Sequence, residues 1–296
     1  MEVGEISTEI QEHSFDTGVV TINYAEGPIS GPSLVLIHGG SARWQVFDAI
    51  IPDLATSWHL YAPDLRGHGK SGRVSGRYRL QDYTDDTISF LQQRLVEPAF
   101  IFGHSLGGMV ALLVAAQCPN CVRAVVVGDS PLTAETWRVV LDQGRESLTL
   151  WRNLAGGRYP IEEVARALTD SPMRVPGQDK PKRMGDVMGE DAPVFEWLAV
   201  NLSQNDPDML TALLDDFDDT AAGYDMERVL PSIRCPVLLL QADPASGGLM
   251  TAAEVERALA LLARRSHVRL DDVSHVLHNE QKEPVLKAIT DFLRAF

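Results

Sequence analysis

The stretch Ala99-Phe-Ile-Phe-Gly-His-Ser-Leu-Gly-Gly-Met-Val-Ala-Leu-Leu-Val-Ala-Ala-Gln-Cys118 decides the fold. It opens on a short apolar run, passes through Gly103-His-Ser-Leu-Gly107 and continues as a longer apolar run from Met109. A short unbroken apolar run reads as a strand covered on both faces, and the run after it as a buried helix. Gly103, His104, Ser105, Gly107 and Gly108 break the stretch too often for a membrane span. Between strand and helix the glycines permit a turn sharp enough to lift Ser105 above the sheet edge, the context that a G-x-S-x-G nucleophile requires.

Outward from this centre the same alternation repeats. Ser33-Leu-Val-Leu-Ile-His38, Val122-Arg-Ala-Val-Val-Val127 and Val237-Leu-Leu-Leu240 are further near-continuous apolar runs, as in central parallel strands. At the C-terminal end Val285, Leu286, Ile289, Phe292, Leu293 and Phe296 fall on one helical stripe, with Pro284 in the first turn. Ser14 to Ala25 alternates weakly around Val19, Thr21 and Asn23, with Gly27 and Gly31 as turn signals, which predicts an antiparallel edge hairpin. A repeated β-then-α order gives an α/β fold with a doubly wound, mostly parallel sheet. The rhythm stops between Pro131 and Leu230 and resumes at Pro236. Residues 1–130 and 231–296 therefore read as one core, and residues 131–230 as a helical insertion over the carboxyl ends of the strands, where open α/β sheets bind ligands. Within it, Pro172 to Gly185 has a loop composition.

The bulk properties exclude several classes of function. With a formal charge of −15 over 296 residues, the surface repels nucleic-acid phosphates and anionic lipid head groups. Its densest acidic stretch, Asp206 to Glu227, includes Asp215, Asp216, Asp218 and Asp219, lacks calcium-loop spacing and reads as a solvated helix face. Met1 to Asp16 carries Glu2, Glu5, Glu9 and Glu12 in place of a basic-then-apolar leader, which points to a cytoplasmic protein. Three cysteines are too few for a disulfide framework or a zinc site. Cys118 and Cys121 follow the apolar run at a helix C-terminal end, where the dipole opposes thiolate, so both are expected as inert thiols. Nothing in the sequence calls for a metal or an organic cofactor.

Attack on a carbonyl builds negative charge on oxygen and needs hydrogen-bond donors already in place. Two backbone sources present themselves. Leu106 N–H opens the helix after Ser105, and His38-Gly-Gly-Ser41 follows a strand and offers the Gly40 N–H, with Gly39 and Gly40 free to adopt unusual φ. His38-Gly-Gly, Asp64-Leu-Arg-Gly-His-Gly-Lys-Ser-Gly72, Gly103-His-Ser-Leu-Gly-Gly108 and Ser274-His275 before an amphipathic helix together resemble the α/β-hydrolase superfamily, in its order and along nearly the whole chain. The resemblance implies an eight-stranded, mostly parallel sheet with a helical cap. Where haloalkane dehalogenases and epoxide hydrolases carry an Asp nucleophile this chain has Ser105, and the H-G-G-P-G of proline iminopeptidases becomes His38-Gly-Gly-Ser-Ala42.

The family pattern places the general base at His275, after the short strand His267 to Leu270. The remaining singled-out histidines have structural readings: His278 as a packing or rim residue, His104 as the variable elbow position, His38 as loop-shaping and His68 as part of the Arg66 to Gly72 turn. Two acids compete to orient the imidazole. Asp243 follows the strand Val237 to Ala242 at the family's usual place, about two positions early. Asp129 ends the preceding strand in good register with an alternative place, and is preferred. Gly39, Ser41, His104, Trp137, Trp151 and Trp197 are candidate pocket residues; with Phe195, Met173, Met184, Met188 and Met209 the insertion's apolar side chains suit a modest-sized acyl or ring substrate, although the simpler reading is that most of them form the insertion's own core. The resemblance implies cleavage of a carboxylic ester through an acyl-enzyme on Ser105. Lactones, thioesters and C–C bonds beside a carbonyl are open to the same machinery, and a small-molecule receptor or a cofactor-free oxidative enzyme could use the same scaffold.

Overall fold

The computed structural model describes residues 10–173 and 180–296. Glu2, Glu5 and Glu9 of the acidic opening and the middle of the Pro172 to Gly185 stretch lie outside the described residues. Strands β1 (Gln11–Asp16), β2 (Thr21–Glu26), β3 (Ser33–Ile37), β4 (His59–Pro63), β5 (Ala99–His104) and β6 (Val122–Gly128) form the first part of the core, with helices α1 (Ile51–Leu54), α2 (Leu80–Arg94) and α3 (Leu106–Gln117) between them. A long excursion follows, holding α4 (Ala134–Leu154), α5 (Ile161–Thr169), the two-residue strands β7 (Pro172–Met173) and β8 (Lys182–Arg183), α6 (Met184–Met188), α7 (Pro193–Gln204), α8 (Pro207–Asp215), α9 (Phe217–Thr220) and α10 (Met226–Val229). The chain then returns through β9 (Val237–Gln241), α11 (Ala252–Leu261), β10 (Arg265–Arg269), α12 (Leu277–Glu280) and α13 (Lys282–Leu293).

The main sheet has eight strands in the order β1-β2-β4-β3-β5-β6-β9-β10. β1, β2 and β4 meet antiparallel, so the expected edge hairpin is present, and every pair from β4 to β10 is parallel. Alternate side chains divide between two cores, as the two-residue period of a strand requires. Val35, Ile37, Ile101, Val125, Val127 and Leu239 point to the layer with α2, α3 and α11. Leu34, Leu36, Phe100, Phe102, Val126 and Leu238 point to the layer with α1 and α13. Burial on both faces explains why these strands read as unbroken apolar runs. Each buried Val or Leu contributes roughly 1.5–3 kcal/mol, so the central strands anchor whatever is built on their ends.

Several elements differ from the sequence reading. β4 escapes it because His59-Leu-Tyr-Ala-Pro63 is opened by a polar residue and closed by a proline, although all five residues are buried. The ends of the Pro172 to Gly185 stretch pair, Pro172 with Arg183 and Met173 with Lys182, which its loop composition hides. Phe296 lies beyond α13 and is 39% exposed, resting edge-on against Phe292 at 5.4 Å instead of in the core. Cys118 and Cys121 are joined as a disulfide and are not free thiols: the turn leaving α3 brings their Cα atoms to 5.4 Å, within disulfide range. Cys235 is the buried free thiol, pushed up to about 11 by burial. Asp215, Asp216, Asp218 and Asp219 are exposed as expected, but Asp206 in the same acidic stretch is buried and accepts from the Tyr78 hydroxyl at 2.6 Å. Among the described residues no helix is long and apolar enough to cross a membrane.

Candidate active site

Ser105 stands between β5 and α3 at φ 54°, ψ −121°. This backbone conformation is costly for a residue with a side chain, of order 1–3 kcal/mol, and persists only where its surroundings hold it. Here the Ser105 N–H donates to the Gly128 carbonyl at 3.0 Å, and its own carbonyl accepts from Gly108 and Met109 as α3 begins. Two glycines permit the crossing. A Cβ on Gly103 would lie 2.2 Å from the Gly107 carbonyl oxygen, and one on Gly107 would lie 2.1 Å from that of Ile37. Leu106 occupies the first helical position, where the N–H has no acceptor within its helix and faces outward with the positive end of the dipole.

Asp129 follows β6 at φ 35°, a left-handed conformation that aspartate tolerates better than most residues, and is fully buried. Its carboxylate accepts from the N–H groups of Ala242 (3.3 Å), Leu249 (2.8 Å) and Met250 (3.3 Å), which fastens the loop after β9 onto the end of β6. Oδ2 also lies 2.8 Å from His275 Nδ1. A carboxylate only accepts, so Nδ1 carries a proton, and in the neutral ring Nε2 is then the acceptor. Asp243 meets no imidazole among the described residues. Its oxygens take the Ala245 N–H (3.1 Å), the Ser246 hydroxyl (3.3 Å) and Arg269 (3.1 Å), and the Ala245 N–H, assisted by the Arg269 guanidinium, holds its carboxyl below the usual carboxylate range.

The loop after β3 is pinned by two neutral imidazoles. Leu65 N–H donates to His38 Nε2 at 2.9 Å, so His38 Nδ1–H donates to the Gly39 carbonyl at 2.7 Å. Ser41 N–H donates to His68 Nε2 at 3.1 Å, and His68 Nδ1–H donates to the Arg66 carbonyl at 2.9 Å. Burial pushes His38 down to about 4 and, with His38 beside it, His68 down to about 3. Positive φ in this loop falls on Ser41, at 57°, and not on Gly39 or Gly40. The carbonyl held by His38 belongs to the same peptide plane as the Gly40 N–H, so the bond fixes where that N–H points. His104 Nε2–H donates to the His275 carbonyl at 2.8 Å, and its ring lies 4.6 Å from that of His275. Burial again leads in holding His104 well below the usual imidazole range, with His275 and His278 adding to it.

These parts meet at one cavity of about 400 Å³. Ser105, Leu106, His275, Gly39, Gly40, Ser41 and His104 line it from the core, and Trp137, Trp151 and Trp197 from the excursion. α4 explains the second wall: Trp137, Val140, Leu148 and Trp151 form an apolar stripe at helical spacing that the sheet does not cover. Asp129 stands behind His275, and Asp243 is not in the lining. Tyr78 and Tyr83, which carry no signal in the sequence, also line the cavity. His68, expected only as part of a turn, lines the cavity as well and accepts the Ser41 N–H.

Residues 34–288 match the model of the alpha/beta hydrolase family. Over 291 residues the chain is 26% identical to 2-(acetamidomethylene)succinate hydrolase from Mesorhizobium japonicum, covering 95% of this chain and 94% of that one. A haloalkane dehalogenase from the same organism is 25% identical over 92% of this chain and 88% of its own. Among solved structures, that of E-2-(acetamidomethylene)succinate hydrolase superimposes with a TM-score of 0.73 at 22% identity, over 97% of this chain and 100% of the other, and so shares the fold.

Proposed function

Because the chain belongs to the alpha/beta hydrolase family, we propose that it is a serine hydrolase cleaving a carboxylic ester or related acyl bond, with Ser105 as nucleophile, His275 as base and Asp129 as the acid that orients it. The single observation that carries this reading is the 2.8 Å contact between Asp129 and His275 Nδ1, which leaves Nε2 without a hydrogen-bond partner among the described residues, in a side chain that lines the same cavity as Ser105 on its strained turn.

A serine hydroxyl is a weak nucleophile until its proton is removed. His275 Nε2 takes that proton as Ser105 Oγ attacks the carbonyl carbon, and Asp129 stabilises the imidazolium. The Gly40 and Leu106 N–H groups receive the oxyanion. Collapse expels the alcohol, protonated by His275, and leaves an acyl-enzyme. Water, deprotonated by the same ring, then attacks the acyl carbon and frees Ser105. Lactones, thioesters and C–C bonds beside a carbonyl enter by the same first step, and no cofactor is required. Residues 131–230 act as a cap over the catalytic residues, and their aromatic wall suits an apolar acyl or ring substrate. From the succinate-derivative hydrolase we carry over hydrolysis alone, and Ser105 separates this chain from Asp-nucleophile dehalogenases.

A fluorophosphonate probe should label Ser105, and Ser105→Ala should lower kcat on chromogenic esters by about 10⁴ or more. His275→Ala should match that loss, and His278→Ala should not. An Ser105→Ala protein that turns over esters at the wild-type rate sinks the reading.

A further inference from the structure

The cavity wall holds no Lys, Arg, Asp or Glu among the described residues. Its polar side chains are few, and most are committed elsewhere. Tyr78 donates to Asp206 and accepts the Val74 N–H, Thr220 donates to the Ala212 carbonyl, and both nitrogens of His68 are taken. The Ser41 and Tyr83 hydroxyls differ: neither makes a hydrogen bond among the described residues, and neither oxygen is among the fully enclosed polar atoms that lack a partner. Ser41 sits next to Gly40, beside the proposed oxyanion donor, whereas Tyr83, 4% exposed, lines the cavity from α2.

Resting on the serine-hydrolase reading, we infer that the substrate portion bound here is uncharged and carries one hydrogen-bonding oxygen that the Tyr83 hydroxyl recognises. A carboxylate or ammonium placed against this wall would lose its hydration and find no counter-charge to replace it. The net charge of −15 adds a field that opposes the approach of anions. A buried hydroxyl without a partner discriminates in the opposite sense: a ligand oxygen that meets it is favoured, and a hydrocarbon in the same place leaves it unsatisfied. Small dicarboxylates are therefore excluded as substrates, and chains bearing a neutral carbonyl or hydroxyl at one position are selected.

The test compares p-nitrophenyl hexanoate, its 4-oxo and 5-oxo analogues and the p-nitrophenyl monoester of adipate, assayed with wild type, Tyr83→Phe and Ser105→Ala. We expect the adipate monoester to fall at least about 100-fold below hexanoate in kcat/KM. One oxo analogue should exceed hexanoate, and Tyr83→Phe should lower that ratio about tenfold. Ser105-dependent turnover of the adipate monoester within about tenfold of hexanoate overturns the uncharged class. A ratio that Tyr83→Phe leaves unmoved at both oxo positions overturns the recognition role, and the wild-type charge comparison stands even if that variant does not fold. Turnover of none of the four esters, or turnover that survives Ser105→Ala, removes the hydrolase reading itself and the substrate inference with it.

Discussion

Asp129 and Asp243 end adjacent parallel strands, β6 and β9, and both are buried, yet their surroundings give them different chemistry. Around Asp129 the N–H donors come from another part of the chain, Ala242, Leu249 and Met250, and Oδ2 still reaches His275. Asp243 sits at φ −76° as the cap of its own short turn, where Ala245, Ser246 and Arg269 occupy its oxygens. Placement at a strand end therefore does not decide which carboxylate meets the imidazole. What decides it is which groups already occupy the carboxylate oxygens. The loop after β9, together with Arg269 of β10, satisfies Asp243 and still has N–H groups left to wrap around Asp129.

The hardest test of this contrast is Asp129→Asn. The amide keeps one acceptor oxygen for the surrounding N–H groups, but its NH₂ can face His275 Nδ1 only if the ring changes tautomer, which places a proton on Nε2 and removes the base. We expect kcat to fall by up to about 10⁴, the scale set by Asp-to-Asn replacement in serine proteases, in a protein that still folds cooperatively. Activity within about tenfold of wild type, together with a collapse in Asp243→Asn, would reverse the assignment.

Legibility in the sequence followed the range of the forces involved. The central strands and the elbow were readable because burial on both faces and the Gly103 and Gly107 contacts act locally or along one element. β4 was not, since its burial comes from β2 and β3 on either side while its own ends are His59 and Pro63. The choice of acid stayed open for the same reason: Asp129 is defined by residues more than a hundred positions away, Ala242 and His275. Tyr83 was invisible because an α2 residue facing a cavity and one facing the core have the same helical spacing. The Cys118–Cys121 bond depended on the geometry of a turn, which composition does not encode.

The same contrast recurs in a smaller form between His275 and His278, which lie within one turn of each other. His278 is enclosed by Phe47 (5.2 Å), Phe102 (6.2 Å) and His104 (4.8 Å), and neither ring nitrogen has a hydrogen-bond partner among the described residues. Burial pushes it from 6.5 down to about 4. Between those values the unfolded chain takes up a proton that the folded chain refuses, so stability falls as pH drops from 6.5 toward 4 and levels off below. His278→Phe keeps the ring and removes the titration. Relative to wild type it should gain on the order of 2 kcal/mol on moving from pH 8 to pH 5, at 1.36 kcal/mol per pH interval below 6.5, read from urea midpoints at the two pH values. Parallel pH dependences in the two proteins would show that His278 is protonated in the fold. His38, His68 and His104 are buried neutral in the same way, so the wild type as a whole should lose stability in this acid window.

Asp243→Asn carries the smallest expected effect and closes the comparison from the other side. If its carboxylate serves only its own turn, His275 keeps Asp129 and kcat/KM should stay within about threefold of wild type. What changes is stability. The Ala245 N–H and Arg269 hold the Asp243 carboxyl below its ordinary value of 3.8, so its contribution is present above that value and is lost as pH falls through the lower folded one. The melting temperature of Asp243→Asn should therefore lie below wild type at pH 7, and the gap should narrow below about pH 3.8. Arg269→Met should reproduce part of the pH 7 deficit, because it removes the 3.1 Å ion pair and leaves the Ala245 N–H in place. A gap that persists unchanged into acid would mean that the carboxyl is not ionised in the fold, and the account of Asp243 as a self-satisfied turn carboxylate would fall with it.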